Sequence, residues 1–141
     1  MKDLELSIRD ALFASANTSI RFVLLIGSVA TGNAGPLSDI DIAVYLDPKL
    51  DNERMVNDIL QLGVELEKKL RTENIDVVNL NEANPPMKFN AVKTGIQILV
   101  RDEGEYEDFV IRTLSEYYDH LDFLERQYHY VATAIAEGGP R

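Results

Sequence analysis

Two aspartates separated by one residue follow a glycine–serine pair at a fixed distance. The chain contains Gly27-Ser28, ten further residues, and then Asp39-Ile40-Asp41. Because side chains alternate along an extended strand, Asp39 and Asp41 are expected on one face while Ile40 points to the other. Carboxylates held this close repel unless a cation lies between them, and Mg2+ is commonly held by one or two carboxylates together with substrate phosphates. The pattern therefore predicts metal-dependent phosphoryl or nucleotidyl transfer.

The glycine–serine pair has the character of an anion-binding turn. Glycine lets the backbone approach a ligand closely, and a short helix from Ser28 to Thr31 would aim free N–H groups at an anion. The motif is not a P-loop, because no Gly-Lys-Ser/Thr follows, and it lacks the three-glycine spacing of the dinucleotide fingerprint. An isolated Gly-Ser pair is usually an ordinary turn after a strand, so this prediction depends on the two aspartates that follow.

These two segments, Gly27 to Ala34 and Ser38 to Val44, resemble the Gly-Ser-x10-Asp-x-Asp signature of the DNA polymerase beta-like nucleotidyltransferases. Within that superfamily the chain is most similar to the small MNT (minimal nucleotidyltransferase) group. Ile75 to Leu80 resembles the strand that carries the third carboxylate, which corresponds to Asp76 here. The segment from Asn84 to Ile96 is similar to the helix and strand that follow in MNT antitoxins.

The resemblance implies a function and a set of site residues. MNT antitoxins pair with HEPN ribonuclease toxins in type VII toxin-antitoxin systems, where they transfer AMP from ATP to a tyrosine hydroxyl of the toxin and silence it. It implies two Mg2+ ions, ATP as co-substrate and a HEPN-type toxin encoded nearby. The implied catalytic and metal-binding residues are Asp39, Asp41 and Asp76, and the implied nucleotide-binding residues are Gly27, Ser28, Gly32 and Ser38. Lys88 and Lys93 are secondary candidates for contact with the triphosphate.

Three alternatives remain open. A small-molecule nucleotidyltransferase of the aminoglycoside-modifying kind would use the same carboxylates, but it usually needs an added domain to hold the drug. A non-catalytic antitoxin that blocks its toxin stoichiometrically is a second alternative, because many family members carry a basic residue where this chain has Thr31. The third is a nucleotide sensor.

Composition limits the class of protein. We expect the 141 residues to form a single nucleotidyltransferase domain, with a core over about 1–101 and a C-terminal helix over about 105–136. No apolar run approaches the roughly 20 residues that span a bilayer, and Met1 to Glu5 lacks a signal-peptide pattern, so we expect no membrane association and a cytoplasmic location. The absence of cysteine excludes disulfides and thiolate metal sites.

Charge indicates the kind of partner. The net charge of −10 argues against direct nucleic-acid binding and favours a basic partner. Acidic residues are concentrated late in the chain, at Asp102, Glu103, Glu105, Glu107, Asp108, Glu116, Asp119, Asp122 and Glu125, opposed only by Arg112 and Arg126. This segment is either a solvated helix face or an electrostatic guide for a basic toxin.

Hydrophobic patterns predict alternating helices and strands, and therefore an α/β or α+β fold. We expect a small mixed sheet of about four strands flanked by helices, and the resemblance implies the polymerase beta-like nucleotidyltransferase fold with a long C-terminal helix. The predicted strands are Phe22 to Ile26, Ile40 to Leu46, Ile75 to Leu80 and Ile96 to Val100. We predict four longer helices. The first ends near Asn17, and the second runs from Asp51 or Asn52 to about Arg71. The third follows Pro85-Pro86 and ends at Gly95, and the fourth runs from about Glu105 to Ala136.

The last helix carries an apolar stripe of 3.5-residue repeat, formed by Val110, Leu114, Tyr117, Leu121, Leu124, Tyr128, Val131 and Ile135. Such a stripe requires another helix against it. Packing on the first or second helix of this chain and use as an oligomer or toxin interface are both open. His120 and His129 are not expected to bind metal, because neighbours one or two apart on a helix do not converge.

Overall fold

Four β-strands form one mixed sheet at the centre of this computed structural model, which describes residues 2–14, 19–35 and 38–138. The strands are β1 (Ile20–Ile26), β2 (Ile40–Leu46), β3 (Ile75–Asn79) and β4 (Ile96–Val100). Their order in the sheet is β3-β2-β1-β4. Strand β1 is antiparallel to both β2 and β4, whereas β2 and β3 are parallel. The predicted small mixed sheet is confirmed.

Five helices flank this sheet in the described part of the chain. They are α1 (Lys2–Ala14), α2 (Gly27–Thr31), α3 (Asn52–Leu70), α4 (Pro85–Thr94) and α5 (Glu103–Ala136). The predicted helix end near Asn17 lies outside the described residues. None of the described helices has the combination of length and apolar composition that crossing a bilayer requires.

Each face of the sheet is covered by its own helices. On one face, α1 and α3 contribute Ile8, Leu12, Leu62 and Leu66 to a core that includes Val23, Leu25, Ile42 and Val44. On the other face, α4 and α5 contribute Ala91 and Phe109 to a core with Phe22, Leu24, Ala43 and Tyr45. Because β1 and β2 are covered on both faces, their sequences are nearly continuous apolar runs rather than alternating ones.

Side-chain caps fix where the helices begin. The Asp51 carboxylate accepts a hydrogen bond from the Arg54 N–H at 2.8 Å, and the Asn84 side chain accepts one from Met87 N–H at 3.0 Å. Pro85 occupies the first turn of α4, where its missing N–H costs nothing. The Asp51 cap places the start of α3 where it was predicted. The start of α4 was predicted after the two prolines, but the Asn84 cap lets the helix begin at Pro85 and include both of them.

The long helix α5 does not pack mainly on the first or second predicted helix, which was one of the two alternatives for its apolar stripe. Its main contacts are with α4 rather than with α1 or α3. Its buried residues are Phe109 and Thr113, both in the N-terminal third of the helix. The apolar stripe of its C-terminal part is therefore not used to pack on the first helices of the chain.

A side-chain clamp secures β3 against β2. The Leu46 N–H donates to the Asn81 side-chain oxygen at 2.8 Å, and the Asn81 amide donates to the Leu46 carbonyl at 2.9 Å. The Leu80 N–H donates to the Val44 carbonyl at 2.9 Å just before this clamp. Asn81 thus continues the ladder of backbone hydrogen bonds with its own amide group and fixes the register of β3 on β2.

We predict that Asn81→Ala lowers the free energy of unfolding by about 1–3 kcal/mol, because it leaves the partly buried N–H and C=O groups of Leu46 without partners. Urea unfolding followed by circular dichroism measures the change. Asn57→Ala, at an exposed position of α3, is the matched control and should change stability by less than about 0.5 kcal/mol. Equal effects of the two substitutions would contradict the clamp.

Candidate active site

The candidate site lies at the end of the sheet where β1 finishes and where β2 and β3 begin. The last residue of β1, Ile26, is opposite Asp41 in the antiparallel pairing of β1 and β2. On its other side, Asp41 is opposite Asp76 in the parallel pairing of β2 and β3. Residues paired across neighbouring strands point to the same face of a sheet, so the register brings Asp41 and Asp76 together.

The remaining predicted carboxylate, Asp39, lies just before β2. The next residue, Ile40, donates its N–H to the Asn74 carbonyl at 2.7 Å, which holds this entry segment beside the start of β3. Asp39 and Asp76 are exposed, whereas Asp41 is half-buried. The geometry therefore places one sheltered carboxylate between two that face solvent.

The negative charges of the three carboxylates act on one another. Burial raises the pKa of Asp41 above its ordinary value of 3.8, and the negative charges of Asp76 and Asp39 raise it further. A cation bound among these oxygens would reverse the last two effects. The donor set is made only of carboxylate oxygens, which fits a hard divalent cation such as Mg2+.

The carboxylates are close enough to repel one another, but they do not form a complete set of metal ligands by themselves. Among the described residues, no group of three or more His, Cys, Asp or Glu side chains is already arranged to hold a metal ion. Mg2+ usually keeps several waters and takes further ligands from substrate phosphates, so an all-protein cage is not what this cation requires. The residues present fit Mg2+ in that manner.

Gly27 is the backbone wall against which the Asp41 carboxylate rests. Its φ is +76°, a conformation that residues with a side chain rarely adopt. A Cβ atom added at Gly27 would overlap Oδ2 of Asp41 and lie 3.1 Å from its Cγ. Glycine is therefore required here twice, for the backbone conformation and for the space that Asp41 occupies.

The turn after Gly27 forms the short helix α2 and ends at Gly32. Gly32 has φ +79°, and the Asn33 N–H donates to the Ser28 carbonyl at 2.9 Å. A Cβ added at Gly32 would meet no atom within 4 Å. Gly32 thus serves the conformation of the turn, whereas Gly27 also serves a close contact.

The polar side chains of this turn make hydrogen bonds within it. The Thr31 hydroxyl lies 3.3 Å from the Gly27 carbonyl, to which it donates, and accepts from the Asn33 amide at 3.2 Å. The Ser38 hydroxyl accepts from the Gly35 N–H at 2.8 Å, and the Ser38 N–H donates to the Gly35 carbonyl at 3.1 Å. Ser38 thereby shapes the loop that leads to Asp39.

Ser38 is also turned away from the carboxylates. Together with Ile40, it lines a cavity of about 820 Å³ bounded by α1 and the end of α3. Asp39 and Asp41 alternate with these two residues along the chain and so face the other side. The structure thus brings Gly27, Asp41 and Asp76 together, and Ser38 borders them through the loop.

The end of α4 closes the site from the side of β1. At Gly95 the backbone passes so near the sheet that an added Cβ would lie 3.3 Å from Ile26 Cγ2, and α4 also contacts α2. Lys93, in the last turn of α4, lies 5.8 Å from the centroid of the Phe89 ring. Lys88 Nζ is paired with the Glu116 carboxylate at 3.1 Å, so of the two lysines it is the one already engaged.

Two features of the site were not predicted from the sequence. The contact between Gly27 and Asp41 joins residues that are distant along the chain, and the general preference for glycine in turns could not reveal it. The Asn81 clamp, which aligns Asp76 with Asp41 from the far end of β3, leaves no sequence signal, since an asparagine after a strand usually indicates a turn.

Comparisons with known proteins agree with this geometry. The family described as "Polymerase beta, Nucleotidyltransferase" matches residues 11–104, which is more than half of the chain. No curated protein sequence matches the chain.

Solved structures provide closer similarity over nearly the whole chain. A chain of a toxin-antitoxin structure with AMP-PNP has TM-score 0.68 and 29% identity, covering 89% of this chain and 94% of that one. A chain of the complex of tri-AMPylated Shewanella oneidensis HEPN toxin with MNT antitoxin has TM-score 0.65 and 28% identity, covering 92% and 96%. A chain of the toxin-antitoxin MntA-HepT has TM-score 0.64 and 27% identity, covering 92% and 96%.

The resemblance to MNT antitoxins that the sequence motifs indicate is confirmed by these structures, and the predicted fold is confirmed with it. From the family match and the strand register at the candidate site, we conclude that this chain belongs to the polymerase beta-like nucleotidyltransferase family.

Proposed function

We propose that this chain is an adenylyltransferase antitoxin, which transfers AMP from ATP to a tyrosine hydroxyl group of a HEPN-type toxin and thereby neutralises it. The observation that carries the proposal is the register that sets Asp41 beside Asp76 with Gly27 against Asp41. Support comes from the similar structures, one with AMP-PNP and one with a tri-AMPylated HEPN toxin. The reaction would take place in the cytoplasm, where ATP is available.

Each carboxylate has a role that follows from its position. Asp39 and Asp41 would hold two Mg2+ ions, with Asp76 as a further ligand of the second. These ions supply neutralisation of the triphosphate charge and activation of the attacking hydroxyl. Asp76, exposed on an edge strand, orients the acceptor hydroxyl and accepts its proton.

The turn at the end of β1 binds the nucleotide in this mechanism. The Gly27 and Ser28 N–H groups and the Ser28 hydroxyl donate to the β- and γ-phosphates, while Gly32 and the Ser38 loop shape the border of the pocket. The acceptor oxygen forms a bond to the α-phosphorus as the bond to the bridging oxygen breaks, and pyrophosphate leaves. The chain contributes positioning and charge compensation rather than a covalent intermediate.

A protein acceptor fits the openness of this site. Asp39 and Asp76 are exposed, and β3 is an edge strand. The cavity of about 820 Å³ near α1 is lined by neither Asp41 nor Asp76, and the cavity of about 290 Å³ beside Tyr45 lies at the opposite end of β2. An acceptor that brings its own surface is therefore favoured over a small drug molecule, which needs enclosing walls.

Thr31 favours a second candidate function, stoichiometric inhibition of the toxin without catalysis. Its hydroxyl is directed to the carbonyls of its own turn and supplies no positive charge for a phosphate. Weak ATP binding would then leave only a binding role.

Transfer of AMP is the direct test of the proposed function. With ATP and Mg2+, the chain is expected to add AMP to a hydroxyl side chain of the toxin encoded beside it, as seen by intact mass and peptide mapping. The double variant Asp39→Asn, Asp41→Asn should reduce the rate by about 1,000-fold or more, because the charge that holds the cations is removed. The control Asp10→Asn, Glu53→Gln removes two exposed charges outside the site and outside the acidic segment of α5, and it should leave the rate unchanged.

Either of two results would reject the proposal. Undiminished transfer by the Asp39/Asp41 variant would remove these residues from catalysis. An unmodified toxin that is nevertheless bound and inhibited would establish the stoichiometric function instead.

The raised pKa of Asp41 predicts a stability change without Mg2+. Because the native state holds this proton more tightly than the unfolded chain does, ionisation of Asp41 costs stability; the cost is absent well below 3.8 and complete above the native pKa. Asp41→Asn should therefore raise the melting temperature at pH 7.5 and lose this advantage at low pH. Differential scanning fluorimetry with and without Mg2+ should also show a smaller Mg2+-dependent rise in the variant. A lower melting temperature of Asp41→Asn at pH 7.5 would contradict the proposed repulsion.

Gly27→Ala and Gly32→Ala form a matched pair, because the two glycines share nearly the same φ but differ in the space around them. Both should lose about 1–2 kcal/mol of stability from the left-handed backbone. Only Gly27→Ala should also displace Asp41 and reduce AMP transfer strongly, by about 100-fold. Urea unfolding and the transfer assay separate the two effects, and equal activities of the two variants would show that the Gly27–Asp41 contact is dispensable.

A further inference from the structure

The N-terminal part of α5 is firmly attached to the sheet and to α4. The Phe109 ring lies 5.1 Å from that of Phe22 and 4.9 Å from that of Tyr45. Further along, Tyr117 stacks on Phe89 of α4 with ring centroids 3.9 Å apart. The helix is therefore held in place as far as Tyr117.

Beyond Tyr117 the helix extends away from the rest of the described chain. From Tyr118 to Ala136, a segment that we name the α5 arm, only His120 and Ala134 are half-buried, and every other residue is exposed. At 1.5 Å per residue the arm is about 28 Å long. A helix exposed over such a length gains little stability from packing, which is the usual source of helix stability in proteins.

The surface of the α5 arm is unusually apolar for a helix in water. Leu121, Leu124, Tyr128, Val131 and Ile135 follow one another at intervals of three and four residues and form one stripe. Tyr128 is 71% exposed and Ile135 is 66% exposed. Exposed apolar patches of this kind mark interaction surfaces.

The apolar character also extends to the side opposite the stripe. Phe123 is 56% exposed and Tyr130 is 73% exposed. At 100° per residue they lie about 120° and about 140° around the helix from Ile135, which is at the centre of the stripe. No Asp, Glu, Lys or Arg occurs from Gln127 to Ala136. A single partner helix would cover the stripe and leave these rings in water, so the tip of the arm requires a groove that encloses it.

Charge selects the kind of groove. Glu116, Asp119, Asp122 and Glu125 follow at intervals of three residues and wind about 180° around α5, across the side that faces away from the apolar stripe. We name these four residues the acidic row, and α5 contains no lysine. Two members of the row are already paired, Asp122 with Arg126 of α5 and Glu116 with Lys88 of α4, each at 3.1 Å. A second copy of this chain would bring the same acidic row and another net charge of −10, which disfavours self-association through the arm.

We propose that the α5 arm inserts into an apolar groove of the toxin whose rim carries lysine and arginine residues facing the acidic row. The arm then retains the toxin by contacts that lie apart from Asp41 and Asp76. The inference rests on the proposed function in that the basic partner is taken to be the toxin that receives AMP.

Binding of the purified toxin encoded beside this chain tests the arm, using calorimetry on the full-length protein. The triple variant Leu124→Ala, Val131→Ala, Ile135→Ala should raise the Kd by about 100-fold or more, because buried interface anchors each contribute about tenfold or more. The control Gln127→Ala, Thr133→Ala alters two polar positions of the same segment and should stay within about threefold. Alanine preserves the helix, which circular dichroism verifies.

The acidic row has its own readout. Asp119→Asn combined with Asp122→Asn should weaken toxin binding at 50 mM salt more than at 300 mM salt. At high salt, screening removes the attraction to the toxin in the wild type and in the variant alike. An unchanged salt dependence would remove the basic rim from the proposal.

Three further results decide between the arm and the proposed function. If the wild-type chain binds the toxin but transfers no AMP, and the triple variant loses this binding, the arm is supported and adenylyl transfer is rejected. AMP transfer by the wild type with unaltered toxin affinity of the triple variant would reject the arm alone. A wild-type dimer in analytical ultracentrifugation that the triple variant converts to a monomer, with toxin affinity unchanged, would assign the arm to a second copy and overturn the proposal.

Discussion

The arrangement of the site depends on one unfavourable interaction, the placement of two like charges opposite each other on neighbouring parallel strands. Asp41 and Asp76 repel, and partial burial of Asp41 increases the cost of its charge. The pairing persists because β3 is fastened at both ends, by the Ile40–Asn74 hydrogen bond at its start and by Asn81 after its end. The remainder of the fold supplies the rigidity that keeps these carboxylates together.

The sheet provides that rigidity by being covered on both faces. Helices α1 and α3 cover one side and α4 and α5 the other, so β1 and β2 are buried along most of their length. Polar chemistry is thereby confined to one end of the sheet, where the glycine turn after β1 meets the entry to β2. The same confinement explains why a small chain can present a charged site without weakening its core.

Much of this fold could be predicted from local signals. The apolar runs of β1 and β2, the Asp51 cap, and Gly95 after α4 each act within a few residues of their own position. Strand β1 was predicted to begin at Phe22, two residues late, because Arg21 interrupts the apolar run. The Arg21 guanidinium pairs with the Asp47 carboxylate at 3.2 Å. The burial of Asp58 in α3 was also not predicted. Its carboxylate accepts a hydrogen bond from the Ser19 hydroxyl at 2.8 Å, and these residues are 39 positions apart in the chain. Strand order, the Asn81 clamp and the direction of Ser38 depend on residues far apart in the chain, so periodicity could not predict them.

The exposure of Asp76 on an edge strand has a consequence for selectivity. In the proposed reaction, an open edge of this kind has few walls with which to discriminate between one hydroxyl and another, so the choice of target must come from whatever keeps the acceptor nearby. Tethering raises the effective concentration of every hydroxyl within reach of the tether, often to the millimolar range, without any specific contact at the reacting atoms. Such an enzyme would modify neighbouring acceptor groups in succession, and its fidelity would be set by geometry and dwell time rather than by the shape of a pocket.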